Sequence, residues 1–300
     1  MLAGTRRPRG GGGAAPAGID WCMMQVSVIL PARNETRLAA TLRSLAATPA
    51  GVGFEAIVVD DGSSPPVDTG GGLGLALRQV RTAGEGAAAA RNRGAALAAG
   101  DVLCFCDAHL EFRAGWLGTL VAALQAFDAV SPGIASGDGA VGYGCTWGPD
   151  FRIEWLGRPQ GLCEVPFLPG GCLAVRRNVF HRVGGFDAGL VPWGHEDAEL
   201  SWALWRCGAR LGVEPAATVV HHFRTRHPYL VLQDQVDRNL LRLGCVHFGA
   251  ARLSRLAAHL RAGPAALASV WREADARRRH LAALQCYDDD WVCNRFHLPL

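Results

Sequence analysis

Three short apolar runs, each ending abruptly in polar residues, constrain this chain more than any other feature. They are "QVSVILPA" from Gln25, "FEAIVVDDGSS" from Phe54 and "DVLCFCDAH" from Asp101. A run that is apolar at nearly every position, without alternation, is a strand covered on both faces, as in parallel sheets flanked by helices. Helical spacing fills the intervals. "NETRLAATLRSLAAT" places Leu38, Leu42 and Leu45 on one side of a helix, with Asn34 as the expected N-cap. "GEGAAAARNRGAALAAG" reads as a helix ending near Gly100, and "WLGTLVAALQAF" as another. This alternation gives the α/β class: a Rossmann-like, mostly parallel sheet with helices on both faces.

Ligands of such sheets bind beyond the carboxyl ends of the strands. Three polar clusters should share that edge: Pro31 to Glu35, where Pro31, Ala32 and Glu35 are candidate contacts, Asp60 to Ser63, and Asp107 to His109. The later part is less regular. "PFLPGGCLAVRRNVF" reads as a strand entering a helix, and "HEDAELSWALWRCG" as an amphipathic helix closed by Gly208. "ARLGVEPAATVVHHF" reads as two short strands. Residues 250 to 300 read as two helices broken near Pro264, with an aromatic and acidic tail.

A chain of 300 residues holds one large α/β domain with appendages. Its 49% hydrophobic and 19% charged content is that of a globular protein, and a net charge of +3 offers no concentrated basic face for nucleic acid. The ten cysteines include no CxxC pair, so neither a zinc nor a disulfide framework is expected, and Cys104 and Cys106 read as small core residues of a strand. No apolar stretch approaches a membrane span, which leaves room only for peripheral membrane contact, and no signal peptide is legible. The cytoplasm is the expected location. Residues 1 to 24 read as a disordered extension, in which Gly4 to Arg6 is only a fragment of a phosphate loop, and translation can begin at Met1 or near Met24.

Asp107 and His109 are two apart on an extended segment, so both side chains reach one point. An oxygen and a nitrogen ligand suit a six-coordinate cation such as manganese, which would act as a Lewis acid on a diphosphate. A solvated strand end is the plain alternative. "TVVHHFRTRHPY" offers a third ligand, but His221 and His222 point to opposite faces and only one can join. Arg224, Arg226 and Tyr229 can hold phosphate oxygens. Asp60 and Asp61 stand where a nucleoside is recognised, or in a ligand-free turn. Arg91 either approaches the phosphates or is an exposed helical arginine. Glu196 and Asp197 open a helix, where one can deprotonate an acceptor hydroxyl and the other hold the sugar. Gly170, Gly171 and Trp193 complete the candidate contacts.

Together these motifs resemble the family 2 glycosyltransferases and, more closely, the polypeptide N-acetylgalactosaminyltransferases. The resemblance covers roughly residues 25 to 250, with 251 to 300 left as a helical extension. It rests on "VSVILPARNE", "AIVVDDGSS", "ARNRGAALAAGDVLCFCDAHLEF", "GGCLAVRRNVFHRVGGFDAGLVPWGHEDAELSWALWRCG", "HHFRTRHPY" and "RNLLRLGCVHF". It implies a GT-A fold and metal-dependent transfer of a hexosyl or N-acetylhexosaminyl group from a nucleotide diphosphate, UDP before GDP. It further implies that Asp107, His109 and His221 bind manganese, with magnesium second, and that Asp60 contacts uracil. Glu196 would touch the donor sugar, and Arg224 and Tyr229 would belong to a mobile loop over the diphosphate. Trp205 would stand near the donor or in the core.

Two departures stand out. Asp197 replaces the asparagine of the closer branch and restores the Glu–Asp pair of inverting family 2 enzymes, whose aspartate is the base, so the stereochemistry stays open. Gly84 replaces the arginine that the closer branch carries before "EG". No lectin domain is legible within these 300 residues, so the peptide acceptor of that branch is not assumed and the acceptor, whether glycan, peptide or small molecule, stays open; its surface is expected from residues 135 to 165 and the C-terminal helices. A sugar nucleotidyltransferase would need a glycine-rich loop where "LPARNE" stands. A silent nucleotide-sugar-binding protein would bind UDP without turnover.

Overall fold

The first two apolar runs form β1 (Val26–Ala32), followed by α1 (Leu38–Ala47), and β2 (Phe54–Asp61). The strands pair in parallel, from Val26 opposite Phe54 to Ala32 opposite Asp60. Between them α1 buries Leu38, Thr41, Leu42 and Leu45. Its cap position is Arg37, not Asn34. Asn34 takes a left-handed conformation, accepts from Ser64 N and donates to the Pro228 carbonyl, so its amide ties neighbouring loops together and is not free to cap a helix. The computed structural model describes residues 25–300, so the expected N-terminal extension and its Gly4–Arg6 fragment lie outside the described residues.

Next come β3 (Leu77–Thr82), α2 (Ala87–Leu97) and the third run, β4 (Val102–Cys106). α2 lies close on the sheet through Gly94, where a Cβ would come 2.3 Å from the Ile29 side chain. β5 (Leu110–Phe112), α3 (Trp116–Ala123), β6 (Ala129–Ala135) and β7 (Val141–Gly142) lead to a hairpin of β8 (Cys145–Trp147) and β9 (Ile153–Trp155). β10 (Cys163–Glu164), β11 (Cys172–Arg176), α4 (Arg177–Arg182), α5 (Glu196–Arg206) and β12 (Leu211–His221) complete the sheet. Its order is β10-β12-β6-β11-β4-β1-β2-β3, with β5 on β12 and β7 on β6. The β4-β1-β2-β3 half and the β6-β12 pair are parallel; β11 runs antiparallel between β4 and β6.

β12 is one strand where two were expected. Its register shifts between Glu214 and Thr218, around Pro215, which lacks the N–H a ladder needs, and pairing with β6 resumes beyond it. α5 is not amphipathic in its surroundings: Glu196, Glu199 and Ser201 are buried along with Leu200, Trp202, Leu204 and Trp205, because α6 (Gln233–His247) and a C-terminal helix over Asp289–Phe296 pack on it beside the sheet.

Residues 250 to 300 form four helices, not two and a tail: α7 (Ala250–His259), α8 (Pro264–Glu273), α9 (Asp275–Ala282) and α10 (Asp289–Phe296). The break falls at Pro264, the first residue of α8, where a missing N–H does no harm. The acidic tail is a helix start, with Asp288 accepting from Trp291 N at 2.8 Å. Leu253, Leu256, Val270, Leu281 and Val292 join the core cluster that holds Trp202 and Leu204 of α5. Inside it Glu199 accepts from His247 Nε2 (3.0 Å) and from Nε and Nη2 of Arg277 (3.0 and 2.9 Å).

Candidate active site

The polar ends of β1, β4 and β12 open into one cavity of about 530 Å³ together with the turns before β11 and α5. Pro31, Ala32, Glu35, Asp61, Arg91, Asp107, His109, Gly170, Gly171, Trp193, Glu196, Asp197, His221, Arg224 and Tyr229 all line it. β4 carries Asp107 to the cavity floor, where its N–H donates to the Gly171 carbonyl (2.9 Å). One oxygen of Asp107 is 3.2 Å from Nε2 of His221 and 3.8 Å from Nε2 of His109. One donor atom from each of the three residues lies within 4.8 Å of the others. His109 turns its Nδ1 to Glu35 at 3.0 Å, which aims Nε2 into the cluster, the arrangement that orients metal-binding imidazoles. His222 points the opposite way, to Glu111 at 2.7 Å. Two imidazole nitrogens and a carboxylate, facing one point and open to a cavity, fit a divalent transition metal.

Arg91 is not an exposed helical arginine. It is 4% accessible and bridges two acids, donating to Asp107 Oδ1 (3.0 Å) and Glu196 Oε1 (2.9 Å). Burial pushes the Asp107 carboxyl up, but His221, Arg91 and His109 together hold it well below the ordinary carboxylate range, so it is ionised and ready to ligate. Asp197, the next residue after Glu196, goes the other way. Burial and the charge of Glu196 push it up to about 6, although Gly170 N and Ala198 N donate to it at 3.0 and 2.8 Å. That value suits a general base near neutral pH. Arg224 pairs with Glu35 and its Nη2 sits 2.7 Å from Nδ1 of His109. Burial and Glu196 push the Tyr229 hydroxyl up to about 12.

Arg226 lies outside the cavity lining, and Asp60 is the other candidate contact that does. It does not line the cavity, because its buried carboxylate accepts from Ser63 N (2.9 Å) and Val67 N (3.3 Å) and pairs with Arg81, holding the turn after β2. Asp61 is used similarly, accepting from Thr82 Oγ1, Glu85 N and Gly86 N at 2.6, 2.7 and 2.9 Å, while also bordering the cavity. Trp205 lies in the core, its Nε1 donating to the Val165 and Pro166 carbonyls. Several lining residues were not singled out individually from sequence, among them Gly194, His195, Phe223 and His227; Arg33 lies within the Pro31 to Glu35 cluster, and Ile153 and Trp155, two apart on β9, within the expected 135 to 165 surface. Of the expected acceptor surface, β9 borders the cavity, whereas no residue of α7 to α10 does.

Residues 27–184 match the model of glycosyl transferase family 2, and residues 163–228 match a model described as the N-terminal domain of galactosyltransferase. The chain belongs to glycosyl transferase family 2. A human relative, polypeptide N-acetylgalactosaminyltransferase 16, is 34% identical over 232 residues, which is 68% of this chain and 41% of the relative. The chain thus spans about two fifths of the curated relatives' length. Among solved structures, GalNAc-T7 with UDP, GalNAc and Mn2+ superposes with a TM-score of 0.73 at 21% identity, covering 91% of this chain and 56% of that one. S. aureus TarS 1-349 with UDP-GlcNAc gives 0.55 at 19% identity, covering 87% and 84%. This family 2 member therefore has the GT-A fold, with its mostly parallel mixed sheet and additional C-terminal helices.

Proposed function

We propose that the chain is a metal-dependent glycosyltransferase that moves a hexosyl or N-acetylhexosaminyl group from a UDP-sugar to a glycan, peptide or small-molecule acceptor. The observation that carries this reading is the convergence of Asp107, His109 and His221 in the cavity that Glu196 and Asp197 also line. Manganese, with magnesium second, suits that donor set, and would stabilise the charge of the departing diphosphate. Arg224 and Tyr229, on the loop after β12, stand where they can hold phosphate oxygens. Glu196, held by Arg91 and by Gly194 N at 2.8 Å, would bind sugar hydroxyls, and Asp197 would take the acceptor's proton. UDP is favoured over GDP because GalNAc-T7 and TarS were solved with UDP and UDP-GlcNAc.

The test is release of free sugar from a panel of UDP- and GDP-sugars without acceptor, with manganese or with chelator. Slow, manganese-dependent release from one UDP-sugar is expected, falling at least about 100-fold in Asp107→Ala with the fold retained, since one ligand is lost at an open cavity. No release and no UDP binding would overturn the reading. The cytoplasm is the location proposed with it, on the sequence reading that no signal peptide and no disulfide framework is legible. Among the described residues no helix is long and apolar enough to cross a membrane. Fractionation of producing cells checks the location.

A further inference from the structure

β4 and β11 bring three thiols together beside the cavity floor. Cys106 and Cys172 are cross-strand partners, and Cys104 lies two residues before Cys106, on the same face of β4. The next pair along, Asp107 and Gly171, is joined by an N–H to carbonyl bond, so Cys106 and Cys172 form the non-hydrogen-bonded pair, whose side chains stand closer together. Opposite Cys104 is Ala174, which adds only a methyl group to that face. Sγ of Cys106 is 3.7 Å from that of Cys104 and 3.8 Å from that of Cys172, and the third edge of the triangle is no longer than 4.8 Å. All three residues are wholly inaccessible, in the core cluster that also holds Leu38, Leu42 and Leu117.

A buried cysteine usually acts as a small hydrophobe. That use asks only for scattered thiols, whereas these three converge. A thiophilic ion such as zinc holds each sulfur at about 2.3 Å, and tetrahedral angles then set the sulfurs about 3.8 Å apart. Two edges of the triangle already have that length. Among the described residues one other group of three ligating side chains is gathered as tightly, Asp107, His109 and His221, which begins at the next residue of the chain. Its oxygen and nitrogen donors suit manganese, and three sulfurs suit a softer ion. Charge selects the valence. Bare thiolates are prohibitive to bury in an apolar core, and a divalent ion cancels two of the three charges where a monovalent ion cancels one.

We propose that Cys104, Cys106 and Cys172 form a second cation site, for a thiophilic divalent ion of the zinc and cadmium kind. Binding releases the thiol protons to water and oxidises nothing. Cys106 and Cys172 directly adjoin Asp107 and Gly171, which line the cavity, so an ion held here ties together the two strands that carry its floor, and the cavity one residue away is its route from solvent. The site stands independently of the donor and acceptor reading above.

Titration of the full chain with cadmium, under a phosphine reductant and with manganese in excess, tests this. Cadmium bound to thiolate absorbs in the ultraviolet by charge transfer, to which carboxylate and imidazole ligands do not contribute. One equivalent of cadmium is expected to give the absorbance of three thiolates and to raise the melting temperature, and zinc should bind in competition with it. The band should persist in Asp107→Ala and in Cys286→Ser, which removes an exposed thiol. Cys104→Ala and Cys172→Ala should each weaken cadmium at least about tenfold and lower the band by about a third, with melts to report whether each is folded. Folded variants that bind cadmium as before overturn the proposal, and so does a band that requires Cys286. If the alanine variants unfold, the unaltered chain decides: fewer than three thiolates per bound cadmium overturns the site.

Discussion

Asp197, proposed above as the base, is the residue at which the proposed chemistry and stability oppose each other. Its carboxyl titrates near 6 in the folded chain against an ordinary 3.8, so between those values the native state holds a proton that the unfolded chain has released. Stability therefore falls as pH rises through that window and stays lower above it. Asp197→Asn removes this term, and thermal melts at pH 7 to 8 should show stabilisation of about 1–3 kcal/mol, the upper figure being the whole shift. Activity should move oppositely. A base is useful only when ionised, so turnover rises through pH about 6 in the unaltered protein and drops at least about 100-fold in the asparagine variant. Near-normal turnover in that variant would remove Asp197 from catalysis and favour a retaining route. At this scale the triad was legible because residues two apart on a strand must share a face, and because a strand can send only one of two adjacent histidines into the cluster. The commitment of Asp60 was not legible, since "DDGSS" is equally a ligand site and a turn. Nor was that of Arg91, whose partners are 16 and 105 residues away.

Elements position these groups through close approaches that tolerate little bulk. Gly171 precedes β11, and a Cβ there would lie 3.0 Å from Cδ2 of His221 and 3.8 Å from Oδ2 of Asp107. Gly171→Ala should therefore push the His221 ring aside and weaken manganese binding about tenfold, or about 1.4 kcal/mol. Direct titration of manganese, with a melt to confirm the fold, checks it; unchanged affinity would show that the ring has room to yield. The strands were readable because β1, β2 and β4 are apolar throughout and end sharply. β12 was read as two because Pro215 interrupts its pattern, although the ladder with β6 resumes past it. The β8–β9 hairpin had no period to read: its Ile153 and Trp155 face a cavity and not a core.

Across the whole molecule, the C-terminal helices reach the helix that opens at the cavity through one buried charge network. Glu199 lies about one turn after Glu196 on α5 and is fully buried between His247 of α6 and Arg277 of α9. Burial alone would raise its carboxyl, yet Arg277 and His247 draw it down to about 2. A depressed acid contributes stability above its unfolded value, near 4.5, and that contribution disappears as pH falls toward 2. Arg277→Ala should destabilise by about 3–5 kcal/mol, because a buried carboxylate loses its main counter-charge. Melts from pH 7 down to 3 should show this gap narrowing; a parallel offset throughout would mean that packing alone is lost. From sequence, residues 275 to 280 are simply arginine-rich, and no local pattern reveals that one of those arginines points inward to an acid 78 residues earlier.

The bridge from Arg91 to Asp107 and Glu196 also bears on how such a chain comes into being. Two acids that line the cavity already have a cation of the chain's own, carried on α2. With that internal counter-charge the site is balanced before any ion arrives, so the metal proposed for it would govern turnover and not the integrity of the fold.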